Sequence, residues 1–186
     1  AVERTAAGLA HVMALLQSVQ DGAVPPQTVP EDLLPTDWAT GAGLGAAEQA
    51  LVLLAAGPTL DGRIGPLCGA LRGRPDQPWP TLSLAMRCIP GLSWAHVHSN
   101  APARWTGLVE LGPGEDPMHA PLRTPERVWA ALAGQRVADP ILTTVAAISM
   151  PAVDEPGVVA EARASITQTT VLVLHGAPRE RLAGVA

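Results

Sequence analysis

The residues with chemical potential are few, and they are spread along the chain. The run TTVLVL-HGAP-RERLAGVA over 169–186 reads as a buried strand, a Gly-containing turn and the start of a helix. That order opens a nucleotide-binding α/β domain. His175, Gly176, Ala177 and Pro178 stand where its phosphate loop belongs. A working loop needs Gly, four residues, then Gly-Lys-Ser/Thr, because the lysine reaches the phosphates. Here the fifth residue after Gly176 is Arg181, followed by Leu182, and all 12 basic residues of the chain are arginine. The loop is degenerate, and this stretch does not hydrolyse ATP by that route. A lone strand–helix unit cannot bury both faces of its strand. The reading is a complete domain followed by the first steps of the next.

Other constellations give way to plainer readings. Gly41-Ala42-Gly43-Leu44-Gly45-Ala46 fits GxGxx(G/A), but that fingerprint binds a dinucleotide only after a strand in a βαβ unit. Pro35-Thr36-Asp37-Trp38 precedes it, so a flexible lead-in to a helix is favoured. His96 and His98 flank Val97 and, on a strand, would share a metal with Asp116 or His119 as a third ligand. Their neighbours Ser99-Asn100-Ala101-Pro102 read as a loop, which favours solvated histidines. Glu115 and Asp116 are adjacent carboxylates, yet a Gly/Pro-rich turn makes them a solvated tip. Ser99 and Ser149 lack the strand–turn–helix setting of a nucleophile. No catalytic, nucleotide-binding or metal residue is therefore assigned. The charges singled out are Glu48, Asp61, Arg63, Arg123 and Arg127. They form either a contact surface for another domain or partner, or helix-end charges and ion pairs. The second reading is favoured, because Asp61 and Arg63 stand at an expected helix start.

Composition narrows the class. The chain is 47% apolar and 16% charged, so it can bury a sizeable core. It has no Phe or Tyr, so Trp38, Trp79, Trp94, Trp105 and Trp129 are expected to make most of the large, shape-defining contacts. A net charge of −5 and a pI near 5.4 argue against nucleic-acid binding. No apolar run is long enough to span a membrane. The N-terminal residues read as an amphipathic helix, not a signal peptide. Cys68 and Cys88 lie in apolar helical patterns and are expected to be buried and reduced. A cytoplasmic location fits.

The elements that must position these residues come from periodicity. Residues 2–20 place Leu9, Val12, Met13, Leu16 and Val19 on one helical face. Residues 21–37, rich in proline, read as a linker or surface loop. A second, nearly apolar helix covers 44–56 and ends at Gly57-Pro58. A third covers 60–73, with Leu60, Ile64, Leu67, Cys68 and Leu71 inward. A fourth covers 81–88, with Leu82, Leu84, Ala85 and Cys88 inward and Pro90-Gly91 as its stop. Residues 104–111 (RWTGLVEL) alternate like a strand, and Leu122 and Arg123 pair back across a long turn. Thr124-Pro125-Glu126 reads as N-cap, first helical position and first-turn acid. Further helices are expected over 139–147 and 158–166. The fold class is mostly α with a small β hairpin (α+β). Three helices, a hairpin and a helix is the order of a winged-helix module, with 104–123 as the wing.

At these residues the chain resembles the N-terminal region of a group of large bacterial AAA-type ATPases. LGAAEQALVLLAAGPTLDGRIGPLCGAL is similar to that family's "L-s-x-x-E-x-x-L-L-L-A" followed by "x-x-L-D-x-R-(Y/F)-x-x-L". Glu48, Leu53, Leu54, Ala55, Leu60, Asp61, Arg63 and Leu67 match, and Ile64 replaces an aromatic residue. PWPTLSLA resembles "r-P-T-v-x-L-a". The strand at 105–111, then Arg123, Arg127, Val128, Leu132 and Gly134, match "W-x-L-(V/I)-x-L" and "P-L-R-x-x-x-R-V-x-x-x-L-x-G"; Thr106 stands where a larger residue is usual. The resemblance implies a winged-helix-like domain over 38–149, after an N-terminal helix and linker at 1–37. Over 150–186 it implies a linker and the start of a degenerate AAA module. It implies a non-catalytic adaptor domain, with ATP and magnesium used by the parent chain rather than by this piece. Partners would be the rest of that chain and unidentified proteins, including components of contractile phage-tail-like injection systems. DNA binding by the winged helix is the alternative, weakened because the expected recognition helix carries only Arg87.

Overall fold

In the computed structural model, residues 1–137 belong to one compact unit. The structure describes residues 2–24, 26–114 and 116–135, with Asp37 described by its backbone alone. The helices expected over 139–147 and 158–166, the strand at 169–174, the loop His175, Gly176, Ala177 and Pro178, and Glu115 lie outside the described residues.

Helix α1 (Val2–Gln20) turns Val12, Met13, Leu15 and Leu16 inward at helical spacing. It packs on α3 (Ala46–Leu60), α4 (Ile64–Leu71) and α5 (Leu82–Cys88). Gly8 lets the α1 backbone approach α3. A Cβ there would stand 2.5 Å from Leu53 Cδ1 and 2.9 Å from the Leu33 carbonyl oxygen. Every residue of α3 from Glu48 to Gly57 is buried. A helix apolar on all sides is an interior helix, and α3 is the post around which the rest assembles.

Two boundaries differ from the sequence reading. Gly57-Pro58 does not end α3, which runs on to Leu60; the Asp61 N–H then bonds the Gly57 carbonyl at 2.8 Å. Proline removes one helical hydrogen bond, but burial of the preceding turns holds the helix together. Position 57 also has no room for a side chain, since a Cβ would meet Ile64 Cδ1 at 2.9 Å. Consequently the third helix does not start at Leu60. Asp61-Gly62-Arg63 forms the connection, and α4 begins at Ile64.

Residues 21–37 are not a bare linker. Leu33 and Leu34 join the core, and α2 (Thr36–Ala42) follows, ended by Gly43 at φ 65°. Gln49 of α3 fastens this segment. Its Oε1 accepts from the Leu34 N–H at 3.1 Å, and its Nε2 donates to the Glu31 carbonyl at 2.8 Å. The GxGxx(G/A) run is thus a helix–helix connection, with Gly45 as the residue before α3.

Helix α5 forms as expected. The Thr81 hydroxyl accepts from the Leu84 N–H at 3.2 Å, and Leu82, Leu84, Ala85 and Cys88 are buried. The strand expected over 104–111 does not form along its length. Two one-turn helices, α6 (Trp94–Val97) and α7 (Pro102–Trp105), lead into a turn at Gly107 with φ 66°. Proline at the first helical position starts α7, and the left-handed glycine forbids a straight strand. Only Glu110–Leu111 remains as β1, antiparallel to β2 (Leu122–Arg123), with Glu110 opposite Arg123 and Leu111 opposite Leu122.

A third segment runs along the other edge of β2. The Leu122 N–H donates to the Pro80 carbonyl at 2.8 Å, while the Pro121 carbonyl accepts from Gly112 at 2.7 Å. The two groups of that trans peptide point opposite ways, so 80–81 and β1 flank β2. The hairpin loop is also tied back, since the Ser83 N–H donates to the Met118 carbonyl at 3.0 Å. Finally α8 (Glu126–Leu132) lies one residue later than the sequence suggested. Pro125 takes the cap position, and the buried Thr124 hydroxyl makes no hydrogen bond among the described residues.

The core differs from expectation in its building material. Its largest fully buried side chains are leucines with Ile64, Val12 and Val52. Trp38 and Trp129 only flank it, while Trp94 and Trp105 face solvent.

Candidate interaction surface

Four of the five charges singled out by sequence serve a local turn or helix start. Glu48, only 4% exposed, accepts from the Gly45 N–H through Oε2 at 3.1 Å and so satisfies one of the open donors at the start of α3. Its other oxygen, Oε1, is buried without a hydrogen bond among the described residues. Asp61 and Arg63 form a bidentate pair, Nε to Oδ1 at 3.0 Å and Nη2 to Oδ2 at 2.7 Å. The Arg63 backbone N–H adds a third bond to Oδ1 at 3.0 Å. The Arg63 side-chain bonds, then this backbone bond, hold the Asp61 carboxyl down at about 2. The Arg63 side chain stays 79% exposed, so the pair stiffens a turn without closing a site. Arg127 donates through Nη2 to the Gly107 carbonyl at 3.0 Å and clamps the left-handed turn. Arg123 is an exposed β2 residue facing Glu110 across the ladder.

The histidines are likewise used locally. His96 Nδ1 accepts from the Ser93 N–H at 3.1 Å, capping α6, and His98 Nδ1 accepts from the Asn100 N–H at 3.1 Å. His119 Nδ1 meets Asp116 Oδ2 at 2.6 Å, which draws the Asp116 carboxyl below its ordinary range. Among the described residues no cluster of His, Cys, Asp or Glu is placed to hold a metal. Cys68 and Cys88 are buried free thiols. Burial pushes Cys68 up to about 12 and raises Cys88 as well, so neither is a ready nucleophile.

What the sequence reading missed is a surface built from tryptophan. Trp94 on α6 is 60% exposed and Trp105 on α7 is 76% exposed. The two helices that carry them pack against each other. The core below anchors these helices through Val97 and Ala103, both fully buried, and α7 rests on α3. Arg104 ties the helices together by donating to the Val97 carbonyl at 3.1 Å. Tryptophan is large, apolar and rigid, with one N–H to donate. Two such side chains held outward on short, well-anchored helices are suited to insertion into pockets of another protein. The proline that starts α7 and the serine before α6 were the available signals, but the strand-like alternation of 104–111 hid them.

Compared with protein-family models, curated proteins and solved structures, the chain matches none of them. Among the described residues no helix is long and apolar enough to cross a membrane.

Proposed function

We propose that this region is a non-catalytic, winged-helix-like docking module that binds another protein through the face carrying Trp94 and Trp105. The carrying observation is the exposure of these two indoles, the largest of the exposed apolar side chains among the described residues. On the sequence resemblance, the parent would be an AAA-type ATPase of the kind associated with contractile injection systems. That parent would bind ATP and magnesium and use hydrolysis to remodel or assemble a macromolecular complex. The order helices, isolated bridge at Thr81, helices, then β1 and β2, with the bridge on Pro121 beside β2, supports the winged-helix reading. In that order the helices just before the hairpin are α6 and α7, which carry the two indoles.

The test is capture from a lysate of the source cells by the full chain, with and without nuclease, beside Trp94→Ala and Trp105→Ala variants. Protein partners that survive nuclease and vanish with the variants carry the proposal. Partners retained when Trp94→Ala and Trp105→Ala are combined refute it.

A second reading, a winged-helix DNA-binding regulator, draws on one specific observation: Arg72 and Arg74 line one cleft with the more distant Arg87. It requires duplex DNA affinity that falls steeply with salt.

A further inference from the structure

The cleft beside α5 brings together charge that is dispersed in the sequence. It encloses about 480 Å³ between the end of α4, the turn that follows, α5 and the hairpin loop. Arg72, Arg74 and Arg87 line it, with Ser83 and His119. Arg72 is already oriented. Its Nη1 donates to the carbonyls of Gln77 at 3.3 Å and Trp79 at 3.1 Å, and its Nη2 donates to Gln77 Oε1 at 3.2 Å. A guanidinium has five N–H groups, so Arg72 keeps its Nε–H and one Nη2–H. Arg87 is anchored by a 2.7 Å bond from Nη2 to the Leu71 carbonyl. Among the described residues Arg74 has a loose 3.6 Å contact with Asp76. Burial and the nearby Arg74 charge both weaken the hold of Arg72 on its proton, a crowding of like charge that an anion would relieve.

We propose that this cleft binds the side-chain carboxylates of an acidic peptide segment of a partner protein. The inference rests on the docking-module reading for its choice of a peptide. It uses none of the residues of the tryptophan face. Planar guanidinium groups pair bidentately with carboxylates. A nucleic-acid backbone would need a track of cations neutralising several phosphates. Here the basic spot is small, Asp76 and Asp116 stand beside Arg74 and His119, and the whole chain carries −5.

The experiment is a fluorescence-anisotropy titration of the full chain into a fluorescein-labelled oligo-glutamate peptide. Oligo-glutamine and duplex DNA serve as parallel probes. The variants are Arg74→Ala with Arg87→Ala together, and Ser83→Glu separately, which sets a carboxylate in the mouth. Arg72 is left intact because it holds the turn after α4. The inference expects oligo-glutamate binding without oligo-glutamine binding, weakened about tenfold or more in the double variant and also weakened by Ser83→Glu. Circular dichroism checks folding; if the double variant unfolds, Arg74→Ala alone and Ser83→Glu decide. Affinity unchanged in folded variants, no peptide binding, or tighter binding of duplex DNA than of peptide overturns the inference. Trp94→Ala and Trp105→Ala leave peptide affinity unchanged. A chain that captures its partner through the indoles yet ignores the peptide refutes the cleft alone.

Discussion

Helix α3 and the pair α6–α7 treat large apolar side chains in opposite ways. In α3 the residues from Glu48 to Gly57 are all buried, and Leu51, Leu53 and Leu54 are sealed from solvent. In α6 and α7 each helix is one turn long, its small residue faces inward and its tryptophan faces out. The first is stable because packing surrounds it. The second is held by two small buried anchors, and its largest side chains contribute little to folding. Stability is thus expected to rest on the sealed residues rather than on the exposed indoles, and substitution can separate the two.

The sharpest contrast is Leu54→Ala against Trp94→Ala. Deleting a sealed leucine removes transfer energy and leaves a cavity, for an expected loss of about 2–5 kcal/mol. Each exposed tryptophan variant is expected to move stability by no more than about 0.5 kcal/mol. Urea denaturation of the three proteins measures both. Equal losses would erase the division between the two regions.

Gly8→Ala probes how closely α1 seats on α3. The new methyl would fall against the Leu53 side chain and the Leu33 backbone, and backbone yields poorly. The expected loss is about 1–3 kcal/mol, read as a lower thermal midpoint. Gln49→Leu probes the fastening of 31–34. It keeps the bulk but strands the buried Leu34 N–H, at about 1–3 kcal/mol. Hydrogen exchange at the Leu34 amide should quicken beyond the global change.

The smallest effect is electrostatic. Asp61 is depressed from 3.8 to about 2 by Arg63. A depressed carboxyl stabilises the fold above its unfolded value, and that contribution fades as pH falls from 3.8 through about 2. Arg63→Ala should return the Asp61 titration, followed by carboxyl NMR shifts, towards 3.8. Stability near neutral pH should change little, because the arginine is solvated.

The elements legible in sequence were those whose period matched their burial. The faces of α1 and α5 follow their apolar spacing, and β2 and its partner at 110–111 were visible as a hairpin. Helix α2 was not, because Thr36–Ala42 has no apolar stripe and borrows its order from neighbours. Gly57-Pro58 read as a stop because local propensity ignores the packing that carries α3 past it. RWTGLVEL alternates, yet Pro102 and Gly107 decide its backbone. The arginine cleft was invisible for a different reason. Arg72 and Arg87 lie 15 positions apart, and only the folded chain places them on one cleft.

The chain has five tryptophans and no tyrosine, so its near-ultraviolet emission is indole light alone. Two indoles sit in water and the other three are partly sheltered, one of them, Trp79, joined to Arg72 through its carbonyl. A soluble quencher should therefore dim Trp94 and Trp105 first, and a partner seated on them should protect that red-edge emission. The protein carries its own optical reporter, and covering those two indoles should change its colour.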